Sequence, residues 1–177
     1  KDLEDDRRWR PERPVPRGLV TLGELRSVAY VAAAAQLVLA FTLSPKLLAP
    51  LLLVWAWMGL MSTEFFAPGW LKARPIVYLV SHMAVMPLID LFATACDWLV
   101  EGGGAAPGGL GLAAFLALSF ANGTALEIGR KAWSPEDERE GVETYSKLWG
   151  VRTTGLCLIA IVLTAVGLAA LVSYSTG

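Results

Sequence analysis

Two charged segments contain the side chains of this chain that could take part in chemistry. The first charged segment, residues 2–18, places Asp2 and Asp6 ahead of Arg13. The second charged segment, residues 127–145, starts with Glu127 and continues with basic and acidic residues on the following turns. Carboxylates bind hard divalent cations such as Mg²⁺, and arginine binds phosphate oxygens in a bidentate manner. Each segment therefore has side chains suited to hold a metal ion and a diphosphate together.

In the first charged segment, the spacing of the carboxylates is compatible with two interpretations. Asp2 and Asp6 are four residues apart, so on a helix they lie on one face, where two like charges repel unless a cation bridges them. Arg13 follows within reach of a bound phosphate. The alternative is a solvated charged loop that anchors the basic side of a membrane protein. The residues alone leave both interpretations open.

The second charged segment begins at the end of an apolar run. A carboxylate such as Glu127 is costly there unless it faces a cavity or a partner. Ser134 followed by Pro135 is typical of a helix N-terminus, and acidic residues are favoured in the first turn of such a helix. Tyr145 is expected either to donate a hydrogen bond to a phosphate oxygen or to act as an interfacial aromatic anchor.

The elements that must position these segments are membrane helices. Hydrophobic residues make up 55% of the 177 residues and mean hydropathy is +0.51, above the average for soluble domains. Five apolar stretches approach the ~20 residues that a bilayer requires. They are 25–43, 46–62, 75–95, 110–126 and 153–172. The fold class predicted is an all-α polytopic helical bundle, forming a single domain over residues 1–177.

Prolines and glycines predict how the spans are joined and bent. Ser44-Pro45 separates the first two spans and predicts a tight helical hairpin, with Pro45 in the first turn of the second helix. Pro50 and Pro87 lie inside apolar runs and are expected to kink their helices. Residues 101–109, rich in glycine, are expected to form a flexible loop.

The distribution of basic residues predicts the orientation. Fourteen of the 15 lysine and arginine residues fall before or at the start of the first span, after the second or after the fourth, and only Lys46 lies on the opposite side. The positive-inside rule then puts both motif loops, residues 1–21 and 127–151, in the cytoplasm. The net charge is −1, so the protein has no overall positive potential that would attract nucleic acid. We therefore do not expect nucleic acid as a partner.

The two charged segments together resemble the aspartate-rich motifs of the UbiA superfamily of intramembrane prenyltransferases. Asp2 and Asp6 match the last two aspartates of the family's first motif, and Arg13-Pro-Val-Pro-Arg-Gly18 matches its trailing element. The second motif is matched at one aspartate and three following positions, with glutamate in place of the opening aspartate. Those residues are Glu127, Ile128, Asp137, Gly141, Thr144 and Gly150.

This resemblance implies Mg²⁺-dependent transfer of a prenyl group from an isoprenoid diphosphate to an aromatic or other lipophilic acceptor within the membrane. It implies that the metal is held by acidic residues and the diphosphate by basic residues and a tyrosine. The implied metal ligands are Asp2, Asp6, Asp137 and Glu127, the first three of which are also the implied catalytic residues. The implied diphosphate ligands are Arg13, Arg130, Lys131 and Tyr145.

Proteins of this superfamily normally have about nine spanning helices. We therefore expect the chain to be an internal piece of a longer protein, inactive by itself, that starts within the first motif. Glu64 and His82 are candidates for the acceptor cleft, although an interfacial cap and a packed core histidine are the alternatives. Other functions compatible with the residues are a transporter or channel, and a non-catalytic member of the same fold.

Overall fold

The computed structural model describes residues 3–105 and 107–176, with the side chains of residues 5 and 176 left aside. Within these ranges the elements are all helices and no strand is formed, which confirms the predicted fold class. The helices are α1 Leu3–Trp9, α2 Leu22–Leu43, α3 Leu48–Ser62, α4 Pro68–Lys72, α5 Pro75–Met83, α6 Val85–Trp98, α7 Gly109–Arg130, α8 Tyr145–Trp149 and α9 Val151–Thr176. Two 3₁₀ turns, Pro45–Leu47 and Glu64–Phe66, precede α3 and α4.

Five helical segments in the described ranges are long and apolar enough to cross a membrane, as predicted. They are Leu22–Leu43, Pro45–Ser62, Pro75–Trp98, Gly109–Arg130 and Val151–Ser175. Large apolar side chains on their outer faces are exposed, including Val31 of α2 and Leu163 of α9. Lipid, unlike water, solvates such side chains without a hydrophobic penalty.

Local sequence explains where the spans begin and break. Thr21 caps α2: its hydroxyl accepts the Glu24 amide, and the Glu24 carboxylate accepts the Thr21 amide. The Ser44 hydroxyl accepts the Lys46 amide at the start of the 3₁₀ turn, which confirms the hairpin. The third span breaks at Ala84, between α5 and α6. Pro87 explains this break, because it has no N–H for the carbonyl four residues earlier.

The expected kink at Pro50 is absent from the interior of its helix. Pro50 is instead the third residue of α3, immediately after the 3₁₀ turn that ends at Leu47. In the first turn of a helix the missing N–H has no intrahelical carbonyl to bond, so proline is tolerated there without distortion.

Helix α7 lies at the centre of the packing. It makes its most extensive contact with α9 and also packs against α5 and α6. The α6–α7 approach is close, since a Cβ on Gly123 would lie 2.6 Å from Cγ of Met86. Near the end of α7, Ile128 packs with Leu79 and Tyr145 in a buried cluster. This cluster ties α5, α7 and α8 together and fixes the end of the bundle that carries both charged segments.

Candidate active site

A cavity of about 540 Å³ opens at the end of the bundle where the charged segments meet. Its lining comes from the end of α1 and the residue after it, the turn before α4, α4 itself, the start of α5, the second charged segment and α8. Its basic residues are Arg10, Lys72, Lys131 and Lys147. Its acidic residues are Glu64 and Glu143. The volume is in the range of small-ligand sites, and four cations in one concave surface attract an anion.

Lys131, the residue that follows α7, lines one wall of the cavity, and Glu127 and Arg130 lie in the last turn of the helix before it. Glu127 is buried, and its carboxylate binds Nε of Arg130 and, at 3.0 Å, Nζ of Lys131. The residues are three and four apart, so all three project from one helical face. The carboxylate therefore has the cationic partners that its position at a span end requires.

Tyr145 completes this wall. Nζ of Lys131 lies 5.6 Å from the centroid of the Tyr145 ring, which packs against Trp149 with a centroid distance of 4.6 Å and a tilt of 34°. Burial, followed by the negative charge of Glu127, raises the pKa of Tyr145 to about 12. The phenol is consequently a protonated hydrogen-bond donor at neutral pH.

The loop between α7 and α8 is closed by hydrogen bonds to Glu138. Oε1 of Glu138 accepts the hydroxyls of Thr144 and Ser146, the latter at 2.9 Å. The Ser146 hydroxyl in turn accepts the Trp133 amide, and the Tyr145 amide donates to the Lys131 carbonyl. These bonds hold Lys131 and Tyr145 side by side.

In the first charged segment, α1 places Asp6 against arginine. Both carboxylate oxygens of Asp6 accept from Nη1 of Arg13 at 2.9 Å, and Arg10 lies 3.5 Å away. Asp2 lies outside the described residues. Arg13 and Arg130, two of the four predicted diphosphate ligands, each pair with a carboxylate and do not line the cavity, whereas Lys131 and Tyr145 do.

The two charged segments are in direct contact. The indole of Trp9 lies over Gly141, where an added Cβ would come within 2.3 Å of the ring. Gly141 has φ of +72°, a conformation that residues with a Cβ rarely adopt. Nearby, Nη1 of Arg139 lies 3.7 Å from Oε1 of Glu12. Trp9, the last residue of α1, and Arg10, which follows it, thereby line one edge of the cavity.

Asp137 lies in an exposed turn of the second charged segment. Its amide donates to the Ser134 carbonyl and its Oδ2 accepts the Ser134 hydroxyl at 2.9 Å. The prediction that a helix begins at Ser134 is wrong, because residues 135–137 form a single turn. The serine hydroxyl donates to the aspartate side chain, and the chain then turns back toward the Glu138 hydrogen bonds.

Elsewhere in the lining, the buried Glu64 lies next to the partly buried His82 of α5. The Glu64 carboxylate lines the cavity and its Oε2 lies 3.8 Å from Nε2 of His82. The imidazole stacks on Tyr78 at 3.9 Å between ring centroids, and its Nδ1 lies 2.9 Å from the Tyr78 carbonyl oxygen. The predicted pair of candidates is thus brought together at the cavity.

Comparison with known protein families assigns the chain to one of them. The family model described as the UbiA prenyltransferase family matches residues 1–177. The chain belongs to the UbiA prenyltransferase family. No curated protein and no solved structure gives a significant match. Membership, together with five helices in the described residues that are long and apolar enough to cross a membrane, indicates an integral membrane protein related to enzymes that act on isoprenoid substrates.

Enzymes of the UbiA family generally depend on a divalent metal. Among residues 3–105 and 107–176, no three His, Cys, Asp or Glu side chains converge on one point. Mg²⁺ commonly uses one or two carboxylates and completes its shell with water and substrate phosphate oxygens. The carboxylates of Asp6, Glu127 and Asp137 are donors of that kind. Their chemistry fits the metal, although none of these three lines the cavity itself.

Two basic residues of this UbiA family site were not predicted as ligands. Lys72, at the end of α4, and Lys147, in α8, both line the cavity. The positive-inside distribution put both on the side of the charged segments, and this was the available signal. Their convergence on one cavity depends on how α4 and α8 pack and is not encoded in a local pattern.

Proposed function

We propose that this UbiA family member transfers a prenyl group from an isoprenoid diphosphate to a lipophilic or aromatic acceptor, with Mg²⁺, at the cytoplasmic face of the membrane. The observation that carries the proposal is the cavity built jointly by the two charged segments and lined by four cations. It lies at the ends of apolar helices, where a charged diphosphate head meets water and a prenyl tail meets lipid or the bundle.

The basic wall is suited to bind the diphosphate. An ammonium has three N–H donors, so Lys131 can keep its bond to Glu127 and still donate to a phosphate oxygen in the cavity. The protonated Tyr145 adds a neutral donor, and Lys72 and Lys147 add charge from other directions. Fixed positive charge of this kind stabilises the negative charge that develops on the diphosphate as the allylic C–O bond breaks.

The predicted metal ligands keep their roles as part of this proposal. Asp2, Asp6, Asp137 and Glu127 would hold Mg²⁺, which when bound neutralises the diphosphate and acts as a Lewis acid on its oxygens. In the structure Asp6 is held by Arg13 and Glu127 by Arg130. These arginines hold the two carboxylates in place by direct ion pairs.

The test measures binding of farnesyl diphosphate, and release of inorganic diphosphate, by the full-length protein in lipid nanodiscs with and without Mg²⁺. We expect Mg²⁺-dependent binding in the wild type, and a loss of about ten- to a hundredfold in affinity in Asp6→Ala and Asp137→Ala, since a charged contact contributes about 1.5–3 kcal/mol. Glu101→Ala is the matched control, an exposed carboxylate in the loop at the other end of the helices.

Metal-dependent binding that neither aspartate substitution changes would contradict the assigned metal site. Diphosphate binding without release, in the presence of a panel of acceptors, would instead favour the non-catalytic member of the fold. Transport of an ion or solute by the reconstituted protein, without either activity, would favour the transporter.

A further inference from the structure

The linker between the second and third spans, residues 63–74, exposes two large aromatic side chains and an arginine. We propose that this linker carries a binding site for the phosphate of an anionic phospholipid. Arg74, held over the ring of Trp70, binds the phosphate, and Phe66 inserts its ring between neighbouring lipids. None of these three residues lines the cavity, so the inference does not depend on the proposed prenyl transfer.

The linker lies where lipid headgroups meet hydrocarbon. The second candidate span ends at Ser62 and the third begins at Pro75. Immediately after the linker, Ile76 and Val80 of α5 lie one turn apart and are 64% and 47% exposed, which fits side chains in contact with acyl chains. Lys72 of the same linker lines the cavity. The linker therefore contributes to the cavity and, at its end, adjoins the lipid-facing surface of the third span.

A strained turn exposes the ring of Phe66. Glu64, Phe65 and Phe66 have φ values of 51°, 52° and 58°, in the left-handed region that residues with a Cβ disfavour. Phe65 packs against Trp57 and His82, with ring-centroid distances of 5.3 and 6.0 Å, whereas Phe66 is 78% exposed. A phenyl ring left in water does nothing to offset this strain, but a ring at the membrane interface is transferred from water to lipid. The turn is therefore suited to insert Phe66 between lipids.

Arg74 is held in position by Trp70. Its Nη1 donates a hydrogen bond of 3.1 Å to the Trp70 carbonyl, and its Cζ lies 4.4 Å from the centroid of the Trp70 ring. Both side chains are exposed. A guanidinium has five N–H donors in a planar fork, so one bond to a carbonyl leaves enough of them for a bidentate bond to phosphate. Because the indole already orders the arginine, less side-chain entropy is lost when the phosphate binds.

The charge around Arg74 favours an anionic lipid over a zwitterionic one. Residues 65–89 contain no Asp or Glu, and their lysine and arginine residues are Lys72 and Arg74. Among the described residues neither cation forms an ion pair with a carboxylate, whereas Arg13 and Arg130 both do. Two cations without a neutralising carboxylate attract a negative headgroup and repel the ammonium of a choline headgroup. The occupant that fits is therefore an anionic phospholipid, such as phosphatidylglycerol.

The experiment titrates the full-length protein in detergent with phosphatidylglycerol or phosphatidylcholine and counts the bound lipids by native mass spectrometry. We expect the wild type to bind phosphatidylglycerol about tenfold more tightly than phosphatidylcholine, and Arg74→Gln to remove this preference, as for the loss of one charged contact. Arg74→Lys should lose about threefold in affinity, because an ammonium cannot bind phosphate in a bidentate manner. Arg26→Gln, at an exposed arginine near the start of α2, is the matched control and should change the affinity by no more than about twofold.

A preference for phosphatidylglycerol that Arg74→Gln leaves unchanged, or that Arg26→Gln lowers equally, would overturn the inference. Displacement of the lipid from the wild type by millimolar inorganic phosphate would assign Arg74 to a soluble phosphate instead. A dimer in light scattering that Arg74→Gln dissociates, without a lipid preference, would assign the surface to a second copy of the chain. Each of these results would refute the lipid site and leave the proposed function standing, because Arg74 does not line the cavity.

Discussion

The contact between Trp9 and Gly141 joins the two charged segments, and Gly141→Ala tests it. The new Cβ would lie 2.3 Å from Cε2 of Trp9, against a usual carbon–carbon contact of ~3.5 Å. The indole must therefore move away from the loop. A left-handed alanine costs about 1–2 kcal/mol and an overpacked contact about 1–3 kcal/mol, so we expect a loss of about 2–5 kcal/mol in the free energy of unfolding.

Gly102→Ala is the matched control for the backbone cost. Gly102 has φ of +75°, close to the +72° of Gly141, but nothing lies within 4 Å of its added Cβ. The difference in unfolding free energy between the two variants, measured by denaturant titration in detergent, isolates the contact with Trp9. A Trp9→Ala, Gly141→Ala double variant should lose less than the sum of the single variants, because the clash is gone.

The same displacement should reach the cavity through Arg10, the neighbour of Trp9. We expect the affinity of the full-length protein for farnesyl diphosphate to fall about ten- to a hundredfold in Gly141→Ala, as for loss of one charged contact, and to be unaffected in Gly102→Ala. Equal stability losses at Gly141 and Gly102, with unchanged diphosphate affinity in both, would refute the close approach of the two segments.

Three further predictions follow from the site. Lys72→Met should weaken diphosphate binding about ten- to a hundredfold by isothermal titration calorimetry, and an unchanged affinity would remove this residue from the site. Glu138→Ala should lower the unfolding free energy by about 1–3 kcal/mol, because the buried Thr144 hydroxyl loses its acceptor, whereas Glu140→Ala, at an exposed position, should not. Folding raises the pKa of Tyr145 from 10.0 to about 12, so the folded state holds this proton more tightly. Stability should therefore fall as pH rises from about 10 to about 12, and Tyr145→Phe should remove this part of the pH dependence.

Much of the fold follows from local sequence. The apolar runs, Ser44-Pro45 and the break caused by Pro87 each depend on physics that acts within a few residues, and the structure agrees with them. The helix predicted at Ser134-Pro135 does not form, because the Ser134 hydroxyl can make either of two hydrogen bonds. The same serine hydroxyl that caps a helix by accepting an amide can donate to a nearby carboxylate, and here Asp137 takes it.

The candidate site was predictable only where its residues are close in sequence. Glu127 and Lys131 lie on one helical face, so their pairing follows from spacing. Glu64 and His82 lie on different helical elements, and their contact depends on a left-handed turn that no glycine marks. The convergence of Lys72 and Lys147 likewise depends on tertiary packing, which no local pattern encodes.

The central claim is that the cavity between the charged segments binds the diphosphate of a prenyl donor. The most direct measurement is a structure of the full-length protein with Mg²⁺ and a non-hydrolysable farnesyl thiodiphosphate. The account predicts phosphate oxygens within hydrogen-bonding distance of Nζ of Lys131 and Nζ of Lys72, with the prenyl chain extending toward the membrane helices. A diphosphate bound elsewhere on the protein, with this cavity occupied only by solvent, would contradict it.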